Sequence, residues 1–396
     1  MNFVVFLVIL VLFFHPSCSD SSRVENDKKD IQIEIKDYIQ LVPSDYIPLD
    51  VNNSNNNLDV IEYKGRFYLA FRTAPSHFAS DKTELYVVSR EKNENIREEW
   101  VFEKRITMGT DLREPRFFVI GDRLFLLFAQ LGNDPTRFEP SGTYYIYKDN
   151  NAWSEPERST LPVDFIPWRV RFTDYRSDSF VLLSGYSGGE NIYDIDHSAG
   201  VDLMFLKTYD GINWEKLFSL RSGCSETDFA KISDNGFVFV CRNELGDQDG
   251  FGSKICLVED WKIKRCEIDK RKYDSPLLFT FKDRVYLVGR RNVSENGYYD
   301  LAEGNSHQER FLKNQLDYWQ KPKRCSFWEV NKDSLTVQFI KDLPSNGDTC
   351  FPSILWIKNN LIWLFNYSSD INAEDLSWIQ GQTGKTYIYL FSILLQ

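Results

Sequence analysis

Six segments of the chain repeat one arrangement of apolar and polar positions: a polar lead-in, an alternating strand, a tight turn and a strongly apolar second strand. They are LDVIEYKGRFYLAFR, PRFFVIGDRLFLLFA, RVRFTDYRSDSFVLLSG, DFAKISDNGFVFVCR, PLLFTFKDRVYLVGR and PSILWIKNNLIWLFN. Period-two alternation puts one face inward. The turns hold Gly65, Gly121, Ser177, Gly236, Asp283 and Asn359, residues that tolerate the positive φ of hairpin turns. Each segment therefore predicts a β-hairpin. A further strand pair follows, such as GTYYIYKDNNAWSEP after the second hairpin and VDLMFLKTYDGINWEKL after the third. Four strands per repeat is the unit of a propeller, and the turn-to-turn intervals of 56, 56, 59, 47 and 76 residues are slightly longer than a minimal blade of roughly 40–50 residues. The pattern predicts an all-β fold, a six-bladed β-propeller over residues 31–396. The alternating stretch Thr386 to Leu395 is expected to close the ring against a strand around Ile31 to Leu41, which removes open sheet edges. The polar stretch Tyr298 to Lys323 reads as an insertion in blade five with some helix.

Composition supports a large β core, with 30 Phe, 20 Tyr and 10 Trp. The net charge of -11 leaves no basic excess to displace counterions, which argues against a nucleic-acid backbone as partner. Phe3 to Phe14 is an uninterrupted apolar run, too short to span a bilayer, and Ser17-Cys18-Ser19 follows it. Residues 1–18 read as a signal peptide or a lipoprotein signal, with Cys18 as the residue that would carry a lipid anchor. Residues 19–30 are polar enough for a flexible tether. An exported protein is expected, secreted, periplasmic or lipid-anchored at a membrane surface. Six further cysteines suit disulfides in such a compartment. Of their fifteen pairings, placement on neighbouring strands favours Cys224 with Cys241, Cys256 with Cys266 and Cys325 with Cys350, six buried thiols being the alternative. With no CxxC pair and four His, neither a metal nor a cofactor is expected.

Aligning the hairpins locates candidate chemistry. The residue ending each second strand is Arg72, Ala129, Gly185, Arg242, Arg290 and Asn366 in turn. Equivalent positions face the same end of a propeller axis, so Arg72, Arg242 and Arg290 are expected to converge on one anionic group, which guanidinium forks bind bidentately. The lead-ins are also charged: Arg113-Glu114-Pro115-Arg116, Arg169 and Arg171, Glu226 and Asp228, Asp274 and Asp348. Of these, Arg113, Glu114, Arg169 and Asp274 are the expected further contacts to a ligand in an axial pocket. The alternative is that each arginine is neutralised by a neighbour, with Glu226, Glu244 and Asp274 available.

Two motifs carry a resemblance. Lys207-Thr208-Tyr209-Asp210-Gly211-Ile212-Asn213-Trp214 is similar to an Asp-box turn, and Phe71-Arg72-Thr73-Ala74-Pro75 is similar to an aromatic-Arg-aliphatic-Pro motif with one extra residue. On these the chain resembles the sialidase superfamily, as a divergent six-bladed member, over nearly all of residues 31–396. The resemblance implies a glycoside hydrolase acting on an acidic glycan, whose carboxylate is held by Arg72, Arg242 and Arg290. It further implies Tyr367 as nucleophile, Glu226 as its assisting carboxylate and Asp81 as acid/base, with Asp111 and Glu114 as competitors for the last role. A tyrosine nucleophile is the sialidase exception among glycosidases. Two other readings stand beside it: a non-catalytic propeller binding anionic glycans or protein partners, and a five-bladed furanosidase-like hydrolase, suggested by Arg113-Glu114-Pro115.

Overall fold

The computed structural model describes residues 32–149, 152–193 and 200–396. The signal at 1–18 and the tether at 19–30 lie outside the described residues. Ile33–Gln396 folds into six antiparallel sheets in a ring. Blade one runs Ser54–Tyr63, Arg66–Ala74, Glu84–Glu91 and Val101–Ile106 from the axis outward. Blade two begins with Asp111–Ile120, Arg123–Leu131 and Pro140–Asp149, and its outer strand is broken into Ala152–Trp153 and Glu157–Arg158. Blade three runs Ile166–Tyr175, Asp178–Ser187, Val201–Thr208 and Glu215–Ser222, and blade four Cys224–Ser233, Gly236–Asp247, Gly250–Glu259 and Lys262–Asp269. Blade five is Asp274–Phe281, Arg284–Asn292, Lys323–Val330 and Val337–Asp342. Blade six is Ser353–Lys358, Leu361–Ser368 and Tyr387–Leu395, completed by Ile33–Val42 from the start of the chain. Six blades exclude the five-bladed reading. The ring closes by pairing the chain's two ends, from Ile33 opposite Leu395 to Val42 opposite Ile388.

The apolar faces of the hairpins pack between blades. Phe205, Phe229, Phe237 and Phe239 join blades three and four, with ring centroids 5.2 to 5.7 Å from that of Phe205. In the turn after Val201–Thr208, the Asp210 carboxylate accepts the amides of Ile212 and Asn213 at 2.8 Å, and Trp214 packs against Phe118 of blade two. This Asp-box turn is a structural staple. Positive φ occurs at Gly65, Gly121 and Asp283 as expected, but in blade three Arg176 takes it in place of Ser177, and Gly236 and Asn359 do not adopt it.

Cys224–Cys241 lies within the first hairpin of blade four and Cys256–Cys266 within its outer strand pair, whereas Cys325–Cys350 ties blade five to the lead-in of blade six. Three disulfides suit an oxidising compartment. Among the described residues no helix is long and apolar enough to cross a membrane.

The inner strands surround charged groups at the axis. Asp228 is fully buried and takes both forks of Arg171, one at 2.7 Å, while Arg169 stands 3.5 Å away. Arg169 also donates to the carbonyls of Pro276 and Pro352 at 3.1 and 2.9 Å, so one side chain bridges blades three, five and six. Asp59 accepts Ser353 Oγ at 2.7 Å and the Phe117 amide at 2.8 Å. Asp228→Ala would leave arginines buried without their counter-ion. Breaking a buried pair from one side costs about 3–5 kcal/mol, and denaturant unfolding should show a midpoint lowered accordingly with an unchanged slope.

Candidate functional site

Most inner strands carry an irregularity near their start. Pairing register breaks at Asn56/Leu58, Arg113/Arg116, Pro167/Arg169, Cys224/Thr227 and Asp274/Leu277. At these bulges Asn57, Glu114 and Ser275 adopt φ of 38°, 54° and 51°, uncommon for side chains with a Cβ. A bulge re-aims the side chain that it carries. Asn57, Glu114, Glu226 and Ser275 are thereby presented to one cavity of about 440 Å³ at the end of the ring where the second strands finish.

Second-strand ends supply Arg242, Arg290 and Tyr367 to the same cavity, and lead-ins supply Arg113, Lys272, Asp274, Trp168 and Phe351. The blade-five insertion forms a wall. It contains helix α1, His307–Gln320, capped by Ser306, whose Oγ accepts the Glu309 amide. From α1, Gln315 reaches Glu244 at 2.8 Å, the Tyr318 hydroxyl bonds Asp274, and Trp319 faces the cavity. Helix α2, Trp378–Thr383, begins in a Ser377/Gln380 capping box and contributes Trp378, Ile379 and Gln382. Its Gly381 lies against the backbone of Asp348, where any side chain would collide.

The charges interlock. Arg242 Nη1 is 2.8 Å from Glu226, 3.5 Å from Glu244 and 3.8 Å from Asp274. Lys272 bonds Glu244 at 2.6 Å and lies over the Tyr318 ring at 3.7 Å. Burial raises Glu244, but Arg242 and Lys272 outweigh it and hold the carboxyl down to about 2. Arg290 donates to the Thr349 carbonyl at 2.5 Å, and stands 3.5 Å from Asp274 and 3.4 Å from the Tyr367 hydroxyl. Tyr367 donates to Asp348 Oδ1 at 2.9 Å, and Asp348 Oδ2 is 2.6 Å from His77 Nδ1. Burial and the Asp348 charge push the Tyr367 phenol well above its ordinary value, so it rests neutral. Burial also raises Glu226, against the pull of Arg242. Burial lifts Glu114 to about 7 despite Arg116, with the Glu226 charge adding to the rise. Glu114 accepts the Asn57 side-chain amide at 3.0 Å.

Of the residues singled out from the sequence, Tyr367, Glu226, Arg242, Arg290, Arg113, Glu114 and Asp274 meet in this cavity. Three do not. Arg72 is fully buried beneath the loop that follows it, 2.7 Å from Asp111, and donates to the carbonyls of Ser76 and Phe78. Arg113 also pairs with Asp111, on its other oxygen at 2.5 Å, and is the arginine that reaches the cavity from this sector. Arg169 is turned to the axis, where the carbonyls of Pro276 and Pro352 hold it. Asp81 is exposed, because the loop after Arg72 turns His77, Phe78 and Ala79 inward instead. The sequence reading missed His77, Lys272 and Trp378. For His77 a signal was present, an imidazole in the loop from which an acid was sought.

No family model matches the chain, and no curated protein matches it in sequence. Solved structures do. A protein of unknown function from Dyadobacter fermentans superposes with a TM-score of 0.62 at 12% identity, over 92% of this chain and 99% of that one. Trypanosoma rangeli sialidase gives 0.55 at 11%, over 86% of this chain and 55% of the other, and Hadza microbial sialidase Hz136 gives 0.54 at 10%, over 87% and 66%. The fold is that of the sialidase propellers. The chain spans a little over half the length of the Trypanosoma enzyme, and at such identities the likeness is one of architecture.

Glu114 provides a stability test of the cavity's electrostatics. A carboxyl raised from 4.5 to about 7 on folding binds a proton in the native state that the unfolded chain has released. Stability from this group is therefore present at low pH and lost as pH rises through that window. Glu114→Gln removes the dependence, so between pH 4.5 and 8 the variant should gain on the wild type by on the order of 3 kcal/mol, read from paired denaturation curves.

Proposed function

We propose that this sialidase-like propeller is an exported glycoside hydrolase acting on a carboxylate-bearing sugar with retention of configuration. The observation carrying the reading is the position of Tyr367, a buried phenol held between Arg290 and a carboxylate in a cavity shared with Arg242 and Arg113. Trypanosoma rangeli sialidase, which shares the fold, has been solved with sialic acid and with 2,3-difluorosialic acid as a covalent intermediate. Arg113, Arg242 and Arg290 supply the guanidinium groups for the sugar carboxylate. The faces of Trp168, Phe351 and Trp378 supply apolar walls for the sugar ring. A neutral phenol suits attack beside that carboxylate, because an anionic nucleophile would be repelled from it. Glu114 replaces Asp81 as acid/base: it lines the cavity, and a carboxyl titrating near 7 can give a proton to the leaving oxygen and take one from water. Three disulfides and the Phe3–Phe14 run support export, with Cys18 as the residue for a lipid anchor.

One observation favours binding without chemistry. Arg242 is already surrounded by Glu226, Glu244 and Asp274, which compete with any incoming anion. A fluorogenic panel of sialosides, uronides and furanosides separates the readings. Hydrolysis of an acidic pyranoside is expected, lost in Tyr367→Phe. Glu114→Gln should lower kcat by about 10²–10⁴ for an alkyl glycoside and much less for an aryl glycoside, whose leaving group needs no proton. Saturable binding of the same sugars with no turnover of any of them would establish the non-catalytic reading instead.

A further inference from the structure

The hydrogen bonding around Tyr367 departs from the assignment made on resemblance. Glu226 was the expected partner of the phenol, yet both its oxygens are engaged elsewhere, Oε1 with Arg242 Nη1 at 2.8 Å and Oε2 with the Ser275 amide at 2.6 Å. The Tyr367 proton points to Asp348, whose carboxylate is fully buried. His77, from the loop after blade one's second strand, approaches the other oxygen of that carboxylate at 2.6 Å. The backbone of Asp348 is pinned as well: its amide donates to Ser369 Oγ at 3.2 Å and its carbonyl accepts the Ser369 amide at 3.0 Å. A phenol, a carboxylate and an imidazole thus form one chain across the junction of blades six and one. Asp348 sits two residues before Cys350, and the disulfide to Cys325 fixes the lead-in that carries it.

We infer that Asp348 is the base that takes the Tyr367 proton, that His77 positions Asp348 for this, and that Glu226 serves to hold Arg242 toward the sugar carboxylate. This rests on the hydrolase reading above. In the first step the Tyr367 oxygen bonds to the anomeric carbon as its proton passes to Asp348 Oδ1. The bond from that carbon to the leaving oxygen breaks, and the leaving oxygen takes the proton of Glu114. In the second step water attacks the same carbon and gives a proton to Glu114, while the bond to Tyr367 breaks and the phenolate recovers its proton from Asp348. Atoms and charge balance over the cycle, with hydrolysis as the net reaction. Throughout, His77 Nδ1–H donates to Asp348 Oδ2, which keeps Oδ1 aimed at the phenol and offsets the charge of the buried carboxylate.

The test is covalent trapping with 2,3-difluorosialic acid and with 2,3-difluoro-KDN, followed by mass spectrometry of the Tyr367 peptide, on wild type, Asp348→Asn, His77→Gln and Glu226→Gln. Wild type should be labelled at Tyr367. Asp348→Asn should slow labelling by about 10²-fold or more, and His77→Gln by about 10-fold, both with unchanged affinity for the inhibitor DANA in calorimetry. Glu226→Gln should weaken DANA binding and raise KM more than it lowers kcat. If Asp348→Asn labels at the wild-type rate while Glu226→Gln does not label, the relay is wrong and the hydrolase reading stands. If wild type is labelled by neither trap and turns over no acidic pyranoside of the panel, the hydrolase reading fails and the relay fails with it; if it turns over a uronide alone, the relay is judged with the 2-deoxy-2-fluoro trap of that uronide. Should Asp348→Asn not fold, His77→Gln decides alone: a wild-type labelling rate in that variant overturns the role of His77, and a tenfold loss of kcat at constant KM supports it.

Discussion

The structure depends on neutralising charge at the centre of a ring whose walls are apolar. Inner strands of a propeller converge, so side chains that would be solvated elsewhere are packed together without water. An isolated ion there is prohibitive, and a pair persists only where geometry and hydrogen bonding are nearly complete. The chain meets this in two tiers. At the axis, Asp228 receives Arg171 and stands near Arg169, which is otherwise capped by backbone carbonyls. At the cavity end, Glu226, Glu244 and Asp274 surround Arg242, and Asp111 is shared by Arg72 and Arg113. The first tier is closed and holds blades together. The second opens into a cavity and can exchange a partner for a ligand.

Positioning of the second tier comes from local backbone irregularity. A regular strand would send alternate side chains into the blade interfaces, leaving none pointing along the axis. The bulges at Asn57, Glu114 and Ser275 break that alternation where it matters, and the left-handed φ values there carry a conformational cost of order 1–3 kcal/mol each. The surrounding sheet sustains it. Cys350 has a φ of 83° in the same sector of blade six, and its disulfide to blade five fixes the segment supplying Asp348 and the carbonyls that hold Arg290.

The architecture was legible because period-two patterning and turn chemistry are local: each hairpin announces itself, and six copies announce a ring. Arg242, Arg290 and Tyr367 were legible too, since equivalence among repeats places strand ends at one face. Equivalence does not say where a long side chain points. Arg72 ends its strand just as Arg242 does, yet Asp111 on the next blade draws it beneath the loop carrying Ser76 and Phe78 and leaves Arg113 to face the cavity. The acid was assigned to a loop by analogy, and loop conformation depends on contacts that no local pattern encodes. Here the His77 amide meets the Gln382 carbonyl of α2, a segment more than three hundred residues away in sequence. The loop accordingly turns His77 inward and Asp81 out.

These placements bear on whether the cavity binds or reacts. An arginine fully compensated by fixed carboxylates gains little from a further anion, because the ligand must displace charge already well placed. Arg242 is in that state, with Glu244 strongly ionised beside it. Glu226 and Glu114 are not equivalent to Glu244, since burial raises both. Glu226 keeps its 2.8 Å hold on Arg242, whereas Glu114, whose guanidinium neighbour is Arg116 at 3.4 Å, is the carboxyl that an incoming anion would push further toward protonation. Binding of an anion and protonation of Glu114 are then coupled through one electrostatic field. The hydrolase proposed above would use that coupling, since its acid must be protonated when the anionic sugar is seated beside a neutral Tyr367.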